Sequence, residues 1–252
     1  MEVTKHIILF LDVMGYKSHI KSFGSDIEMQ NQYLAKVHTL MKDLSRFITC
    51  RNEYVDKNLD SYYCLKLTRF KWITFSDNIM FFAPYNDDVD AYNLTYNLLY
   101  GLSEFFMQYE WDDIFLRGGL TKGQLYFDND LHFVFGSGLV KAYELEGEAF
   151  APRIKLDYSL NSSPIIVGVE QDSNGDWYFD YLKLFYARFY HGKNEEQQRY
   201  FFQCLQSHKK NIIKAIKKFG DIKELLQKYE WLKKYHNDFC YRFKFDNYMI
   251  DN

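Results

Sequence analysis

The stretch "HIILFLDVMGYKSHI", residues 6–20, decides the fold. Five consecutive apolar residues, Ile7 to Leu11, predict a buried strand. That strand runs directly into a carboxylate, Asp12, and Gly15 follows three residues later. Beyond Gly15 the apolar residues recur at helical spacing. The pattern therefore predicts a core strand that ends on an acid, then a tight turn, then a helix.

The composition indicates a globular chain of 252 residues, 47% of them apolar and 19% aromatic, which is enough for a sizeable core. A net charge of −3 gives no basis for nucleic acid or a membrane surface as partner. The four cysteines are scattered without a CxxC pair. No stretch approaches the ~18 apolar residues of a membrane-spanning helix. We therefore expect a cytoplasmic protein with free thiols.

The order of predicted elements defines the fold class. The predicted segments are a helix over 26–48, extended segments over 62–70 and 71–75, a strand over 79–84, a helix over 87–109, strands over 114–127 and 131–136, and a helix over 137–150. Together with the first strand, they give the order strand, helix, strand, strand, helix, strand. This order predicts an α+β fold with a ferredoxin-like split βαβ core.

The remainder of the chain predicts an extension packed on that core. Residues 164–190 suggest a strand pair joined by the turn "DSNGD". A helix is expected from residue 194 to Gly220, and another over about 222–236. We place the core at residues 1–158 and the strand and helical extension at 159–252.

A second acid gives Asp12 a chemical interpretation. "WITFSDNIMFFA" places Asp77 in a tight turn between two apolar strands. In a split βαβ sheet the first and central strands are neighbours, so Asp12 can lie beside Asp77. Two such carboxylates repel each other unless a cation lies between them, and Mg²⁺ or Mn²⁺ prefers oxygen ligands. The alternative is that Asp12 merely ends a strand and Asp77 merely forms a hairpin turn.

If the pair binds metal, the chemistry that follows is phosphoryl transfer. Two ions about 3.5–4 Å apart can activate an attacking oxygen and stabilise a leaving one. Gly15 would then let the backbone turn closely beneath a triphosphate, whose charge suits the N–H groups at the start of the next helix.

Four motifs carry a resemblance to a known family. They are "FLDVMGY", "FSDNIMFFA", "LRGGLTKGQLYF" and "VFGSGLVKAYELE". Their order resembles that of class III nucleotidyl cyclases, which have DxxGF, a GD-type hairpin, RxGIxxG and GxxVNxAxRLE. The sequence is most similar to the Pycsar pyrimidine cyclases of bacterial antiphage defence. The likeness covers about residues 5–150, and the tail segments "DWYFDYL" and "KYEWLKKYHN" also resemble that group.

The resemblance implies roles for individual residues. Asp12 and Asp77 match the two metal-binding carboxylates, with the Val13 carbonyl as a further ligand, and Gly15 and Tyr16 match the turn that holds the phosphates. Two Mn²⁺ or Mg²⁺ ions would assist attack of the ribose 3′-hydroxyl on the α-phosphate of a nucleoside triphosphate. The family also implies a homodimer with shared sites and a downstream effector that reads the cyclic nucleotide.

The sequence departs from the family where an Asn and an Arg stabilise the transition state. Val140 and Glu144 occupy those positions, and an acid cannot replace an arginine. Either Arg153 or Arg117 supplies the charge, or the protein is an inert cyclase-like regulator. The alternative interpretations are a surface charge for Arg153 and, for Arg117, a strand residue paired with an acid such as Asp112 or Asp113.

The base preference is predicted from two positions that read the purine in purine cyclases. The resemblance aligns them with Ile73 and Phe133, neither of which can hydrogen-bond a purine edge. Large side chains such as Phe133, Trp72 or Tyr16 would narrow the pocket to a single ring. We therefore expect UTP or CTP as substrate, with UTP favoured. The alternative within enzymes is an adenylate or guanylate cyclase.

Overall fold

The computed structural model describes residues 2–49, 69–107, 114–160 and 166–251. Its strands are β1 (Thr4–Val13), β2 (Lys71–Phe75), β3 (Asn78–Pro84), β4 (Leu116–Asp128), β5 (Phe133–Phe135), β6 (Ile154–Leu156), β7 (Val169–Gln171) and β8 (Trp177–Phe179). Its helices are α1 (Tyr16–Phe23), α2 (Ile27–Thr49), α3 (Asp88–Met107), α4 (Ser137–Glu148), α5 (Tyr181–Phe189), α6 (Glu195–Phe219) and α7 (Lys223–Phe243). In these ranges no helix combines the length and apolar character needed to cross a bilayer.

The strands form one sheet in the order β2-β3-β1-β4-β6-β8-β7, with β5 paired to the end of β4. β1 runs antiparallel to both β3 and β4. The order β2-β3-β1-β4, with α2 before β2 and α3 before β4, is that of the split βαβ plan. The predicted α+β fold is therefore confirmed. Most of the extended segment predicted over 62–70 lies outside the described residues.

The two faces of the sheet have different environments, and β1 shows this by strict alternation. Ile7, Leu9 and Leu11 belong to the main core, which includes buried residues of α2 and α3. Ile8 and Phe10 belong to a smaller apolar cluster that includes Ala142 of α4. Because side chains alternate along a strand, Asp12 shares the face of Ile8 and Phe10. We call this α4-bearing side the open face.

Helix α2 shows how the apolar pattern translates into packing. Val37, Leu40 and Leu44 are buried, as the helical spacing predicts. The apolar spacing in this segment also predicts Ile27 on the buried face, but Ile27 is 71% exposed. The prediction for Ile27 is wrong because the helix begins before it reaches the core, and its first buried residue is Tyr33.

The C-terminal part of the chain continues the same sheet. β6 runs parallel to β4, and the β7–β8 hairpin joins at β6. The strand pair predicted around "DSNGD" is confirmed, and α6 ends before Gly220 as expected. The helix α5 was not predicted, and α7 extends to Phe243 instead of ending near residue 236. The domain boundary at residue 158 stays a prediction.

A buried hydrogen-bond chain ties the last three helices together. The Tyr181 hydroxyl lies 2.9 Å from His208 Nε2, and His208 Nδ1 lies 2.9 Å from His236 Nδ1. His236 Nε2 in turn lies 2.9 Å from the Tyr248 carbonyl. Burial lowers the pKa of His236 to about 4 and that of His208 well below its usual value. Both rings are therefore neutral near pH 7, and we interpret them as structural.

Candidate active site

The structure brings Asp12 and Asp77 together at one edge of the sheet. Asp12 is directly opposite Asn78 in the β1–β3 ladder, and the N–H of Val13 donates to the Asp77 carbonyl at 3.1 Å. Ser76 has a φ of 57° in the hairpin turn between β2 and β3. Asp77 is half-buried, Asp12 is buried, and the neighbouring Asp77 carboxyl helps to raise the pKa of Asp12. The turn between β2 and β3 therefore places Asp77 next to the end of β1.

A single arginine lies between two buried acids beside this pair. Arg117 is directly opposite Asp12 in the β1–β4 ladder, and its Nε donates to Asp12 Oδ2 at 3.0 Å. Its Nη2 lies 2.7 Å from Glu146 Oε1 of α4, and its Nη1 donates to the Ala149 carbonyl at 3.3 Å. Asp112 and Asp113, named as possible partners from the sequence, lie outside the described residues. Glu146 was not among the predicted site residues.

The electrostatics of the cluster favour a bound cation. Burial, and then the hydrogen bond to Asp77, raises the pKa of Asp12 to about 8 in spite of the opposing charge of Arg117. Burial likewise raises the pKa of Glu146, again against Arg117. Without a cation, Asp12 therefore retains its proton near neutral pH.

Two carboxylates fit a hard divalent ion that completes its shell elsewhere. Mg²⁺ and Mn²⁺ take oxygen ligands, and Mg²⁺ usually keeps several waters and binds substrate phosphates. Among the residues that the structure describes, no group of three or more His, Cys, Asp or Glu side chains is arranged to hold a metal. The protein's share of the coordination would thus be Asp12 and Asp77, with the Val13 carbonyl predicted beside them.

The turn after β1 needs glycine at position 15 for two reasons. Gly15 has a φ of +78°, which side chains rarely adopt, and an added Cβ would lie 2.3 Å from Leu225 Cδ2 of α7. No side chain caps the N-terminus of α1. The ring of Tyr16 packs against Tyr33, with 6.0 Å between centroids. The phosphate-binding role of this turn stays a prediction.

The residues considered for the transition state lie in different surroundings. Arg153 forms ion pairs with Asp172 at 2.6 Å and Asp176 at 3.4 Å, at the turn between β7 and β8. It is therefore not the surface charge of the alternative interpretation, since its side chain is only 10% exposed. Val140 is 57% exposed on α4, and Glu144 is exposed on the same helix. The structure thus brings Arg117, but not Arg153, into contact with Asp12.

Of the two predicted base-reading positions, only Ile73 lies on the face of Asp12. Ile73 is opposite Met80, which is opposite Phe10, and it packs at the rim of the open-face cluster. Val134 packs against the same cluster from β5. Since side chains alternate along a strand, the neighbouring Phe133, 50% exposed, points to the other side of the β4–β5 hairpin.

Comparison with known proteins gives structural neighbours only. No protein-family model matches the chain, and no curated protein matches it in sequence. One similar structure is a bacterial light-regulated adenylyl cyclase, with 13% identity and a TM-score of 0.44 over 84% of this chain and 100% of that chain. The adenylyl cyclase CyaB from P. aeruginosa has 14% identity and a TM-score of 0.44 over 70% of this chain and 92% of its own.

A third neighbour is the catalytic core of a rhodopsin-guanylyl cyclase with converted specificity, in complex with ATPαS. It has 12% identity and a TM-score of 0.40 over 71% of this chain and 97% of its own. At these identities and TM-scores the similarity decides neither activity nor substrate. The function has to be inferred from the site.

Replacement of Asp77 by Asn tests the carboxylate pair. In EDTA at pH 8, Asp77→Asn is expected to raise the melting temperature slightly, because it relieves the repulsion with Asp12. Addition of MnCl₂ should stabilise the wild type by binding the folded state, and the variant should lose most of this shift. Asp130→Asn, in the turn between β4 and β5, is the matched control and should behave as wild type. An undiminished Mn²⁺ shift in Asp77→Asn would contradict the pairing.

Replacement of Arg117 tests its role between the two acids. Arg117→Gln leaves Asp12 and Glu146 buried without their cation, and we expect a loss of about 3 kcal/mol in the free energy of unfolding. Adding Glu146→Gln to that variant should recover part of the loss. Lys122→Gln on the same strand, whose partner Asp88 is 78% exposed, should cost less than about 1 kcal/mol. Urea denaturation measures the wild type, Arg117→Gln, Glu146→Gln, the double variant and Lys122→Gln, and strict additivity of the Arg117 and Glu146 changes would refute the coupling.

Proposed function

We propose that the protein is a metal-dependent nucleotidyl cyclase of the class III type. It would convert a nucleoside triphosphate into a 3′,5′-cyclic monophosphate and pyrophosphate. The observation that carries this proposal is the Asp12–Asp77 carboxyl pair, held by the end of β1 and the adjoining β2–β3 turn beside the uncapped N-terminus of α1. The four ordered motifs of the sequence support the same class.

The residues of the site have distinct tasks in this reaction. Asp12 and Asp77 would hold the two divalent ions, and Arg117 fixes Asp12 through one arm of its guanidinium while the other arm contacts Glu146. When bound, the ions lower the pKa of the ribose 3′-hydroxyl and offset the phosphate charge. The 3′-oxygen loses its proton to water and forms a bond to the α-phosphorus. The bond from the α-phosphorus to the bridging oxygen breaks, and pyrophosphate leaves.

The proposed substrate is a pyrimidine nucleotide, UTP before CTP. Ile73 lies on the face of Asp12 and packs with apolar neighbours, so it offers no hydrogen bond to a purine edge. A buried purine edge without partners costs about 1–3 kcal/mol for each unsatisfied group. Cyclic UMP or cyclic CMP would then act as an antiphage signal through a downstream effector, as the resemblance implies.

We propose that the active form is a homodimer joined through the open face. Phe75 is 80% exposed at the end of β2 and shares the face of Ile73 by alternation. Tyr143 of α4 is 60% exposed and packs edge-on against Phe10 on the same face. Val140 adds a further exposed apolar side chain. Such a group of exposed apolar side chains marks an interaction surface, and a second copy is the occupant that the family suggests.

The substrate prediction is tested with the four nucleoside triphosphates and Mn²⁺. We expect pyrophosphate release with UTP and CTP to exceed that with ATP and GTP at least tenfold, with UTP fastest. Asp77→Asn should reduce turnover below detection because the ions lose one of their two carboxylates, and Asp130→Asn should retain it.

Two other results would contradict the proposal and identify a different function. Faster turnover of ATP or GTP would identify a purine cyclase. Binding of a nucleotide without pyrophosphate release from any of the four would identify an inert nucleotide-binding regulator, the reading that Val140 and Glu144 favour.

The dimer prediction is tested by placing a charge on the open face. Phe75→Glu is expected to convert the dimer to monomer, because an unpaired charge would be buried at the contact. Leu34→Glu, a 63% exposed position on α2 at the opposite face, is the matched control. Size-exclusion chromatography with light scattering gives the mass. A dimer that persists in Phe75→Glu, or is lost equally in Leu34→Glu, would place the contact elsewhere.

A further inference from the structure

Helix α7 packs directly on the turn that follows β1. Leu225 fills the space where a Cβ of Gly15 would lie, at 2.3 Å. The hydroxyl of Tyr229 lies 3.4 Å from His19 Nε2 of α1. Met14, between Asp12 and Gly15, is buried in a cluster with Leu225 and Tyr229. The C-terminal helix is therefore part of the surroundings of the carboxylate pair.

Lys228 lies next to this contact face on α7. In a helix, positions three and four apart lie side by side, so Lys228 lies beside Leu225 and directly precedes Tyr229. Its side chain is half-buried. The charged groups that act on it come from three other elements and from its own helix: Asp12 of β1, Arg117 of β4, Glu146 of α4 and Glu224 of α7.

Arg117, Arg153 and Lys228 differ in their ion-pair partners. Arg117 is held by Asp12 and Glu146, and Arg153 by Asp172 and Asp176. The charges of Asp12 and Glu146 act on Lys228. Among the described residues, however, no carboxylate lies within 4.0 Å of its ammonium group as an ion-pair partner. Burial, and then the charge of Arg117, lowers its pKa. A partly desolvated ammonium without its own carboxylate partner gains most from an incoming anion.

We propose that Lys228 binds the phosphates of the substrate and supplies, from the same chain, the positive charge that Glu144 cannot supply. This inference rests on the proposed function, since it concerns the same site. Lysine is an established point-charge binder of phosphate, and phosphoryl transfer depends mainly on such electrostatic stabilisation. Lys228 would contact the triphosphate from the side of α7, while Arg117 continues to fix Asp12.

The test begins with binding, so that it does not depend on turnover. Inorganic tripolyphosphate with MnCl₂ is titrated by calorimetry into wild type, Lys228→Met, Lys228→Arg and Lys234→Met. Lys234, 74% exposed on the same helix and paired with Asp238, gives the matched loss of one charge. We expect about tenfold weaker binding for Lys228→Met, retention within threefold for Lys228→Arg, and no change for Lys234→Met. Melting curves confirm that each variant is folded.

Binding of Mn²⁺ alone separates a phosphate contact from simple balancing of the acids. If Lys228 only offsets the charge of Asp12 and Glu146, Lys228→Met should bind Mn²⁺ more tightly and tripolyphosphate as well as wild type does. That result would overturn the inference. A fall in tripolyphosphate affinity, without weaker Mn²⁺ binding, supports it.

Turnover distinguishes failure of this inference from failure of the proposed function. With the best nucleotide, Lys228→Met should lower kcat about 100-fold and Lys228→Arg should restore a measurable part. If wild type releases pyrophosphate and Lys228→Met matches it in both kcat and tripolyphosphate affinity, Lys228 has no such role while the cyclase stands. If wild type turns over no nucleotide, the cyclase proposal fails, and the tripolyphosphate arm still decides whether Lys228 binds phosphate.

Discussion

The site depends on the contact of one guanidinium with two buried carboxylates. Arg117 joins the end of β1, through Asp12, to α4, through Glu146. The planar fork of arginine can contact two acids at once, which a lysine ammonium does with less geometric definition. Burying these two carboxylates without it would cost several kcal/mol. The two ion pairs of Arg117 therefore fix both the position of Asp12 and the position of α4 on the open face.

The two glycines after Arg117 make this contact possible. A Cβ on Gly119 would lie 2.2 Å from the Ala142 carbonyl of α4, and one on Gly118 would lie 2.4 Å from the Phe10 carbonyl of β1. Any side chain at these positions would push the helix or the strand away. In the segment "RGG", Arg117 thus supplies the charge that pairs with Glu146 of α4, and the two glycines leave the space that α4 and β1 occupy. The local sequence and the long-range ion pairs are consistent with each other.

Most of the core could be predicted because its signals are local. The apolar run of β1 and the helical spacing in α2 and α3 identify these elements, and the split βαβ order then makes Asp12 and Asp77 neighbours. Glu146 was missed, although its spacing from Ala142 is that of a buried helix face, where an acid requires a partner.

Contacts made across long sequence separations left no such signal. The packing of Leu225 on Gly15 joins residues more than 200 positions apart, and periodicity in α7 indicates only that Leu225 is buried. The ion pairs of Arg153 could have been predicted from the sequence, since Asp172 and Asp176 both lie in the predicted turn. Sequence patterns define which face of an element is buried, but not which distant element covers it.

This long-range packing places the C-terminal extension in direct contact with the turn that follows Asp12. Gly15 meets two requirements, a positive φ and the close packing of Leu225, which would lie 2.3 Å from an added Cβ, so a side chain at this position would displace the turn or α7. Met14 and Tyr229 share one buried cluster and extend that connection toward Asp12. A displacement of α7 would therefore change the field of Lys228 at Asp12 and Glu146 as well as the shape of the turn. The charge balance of the site is consequently set by the core and the extension together.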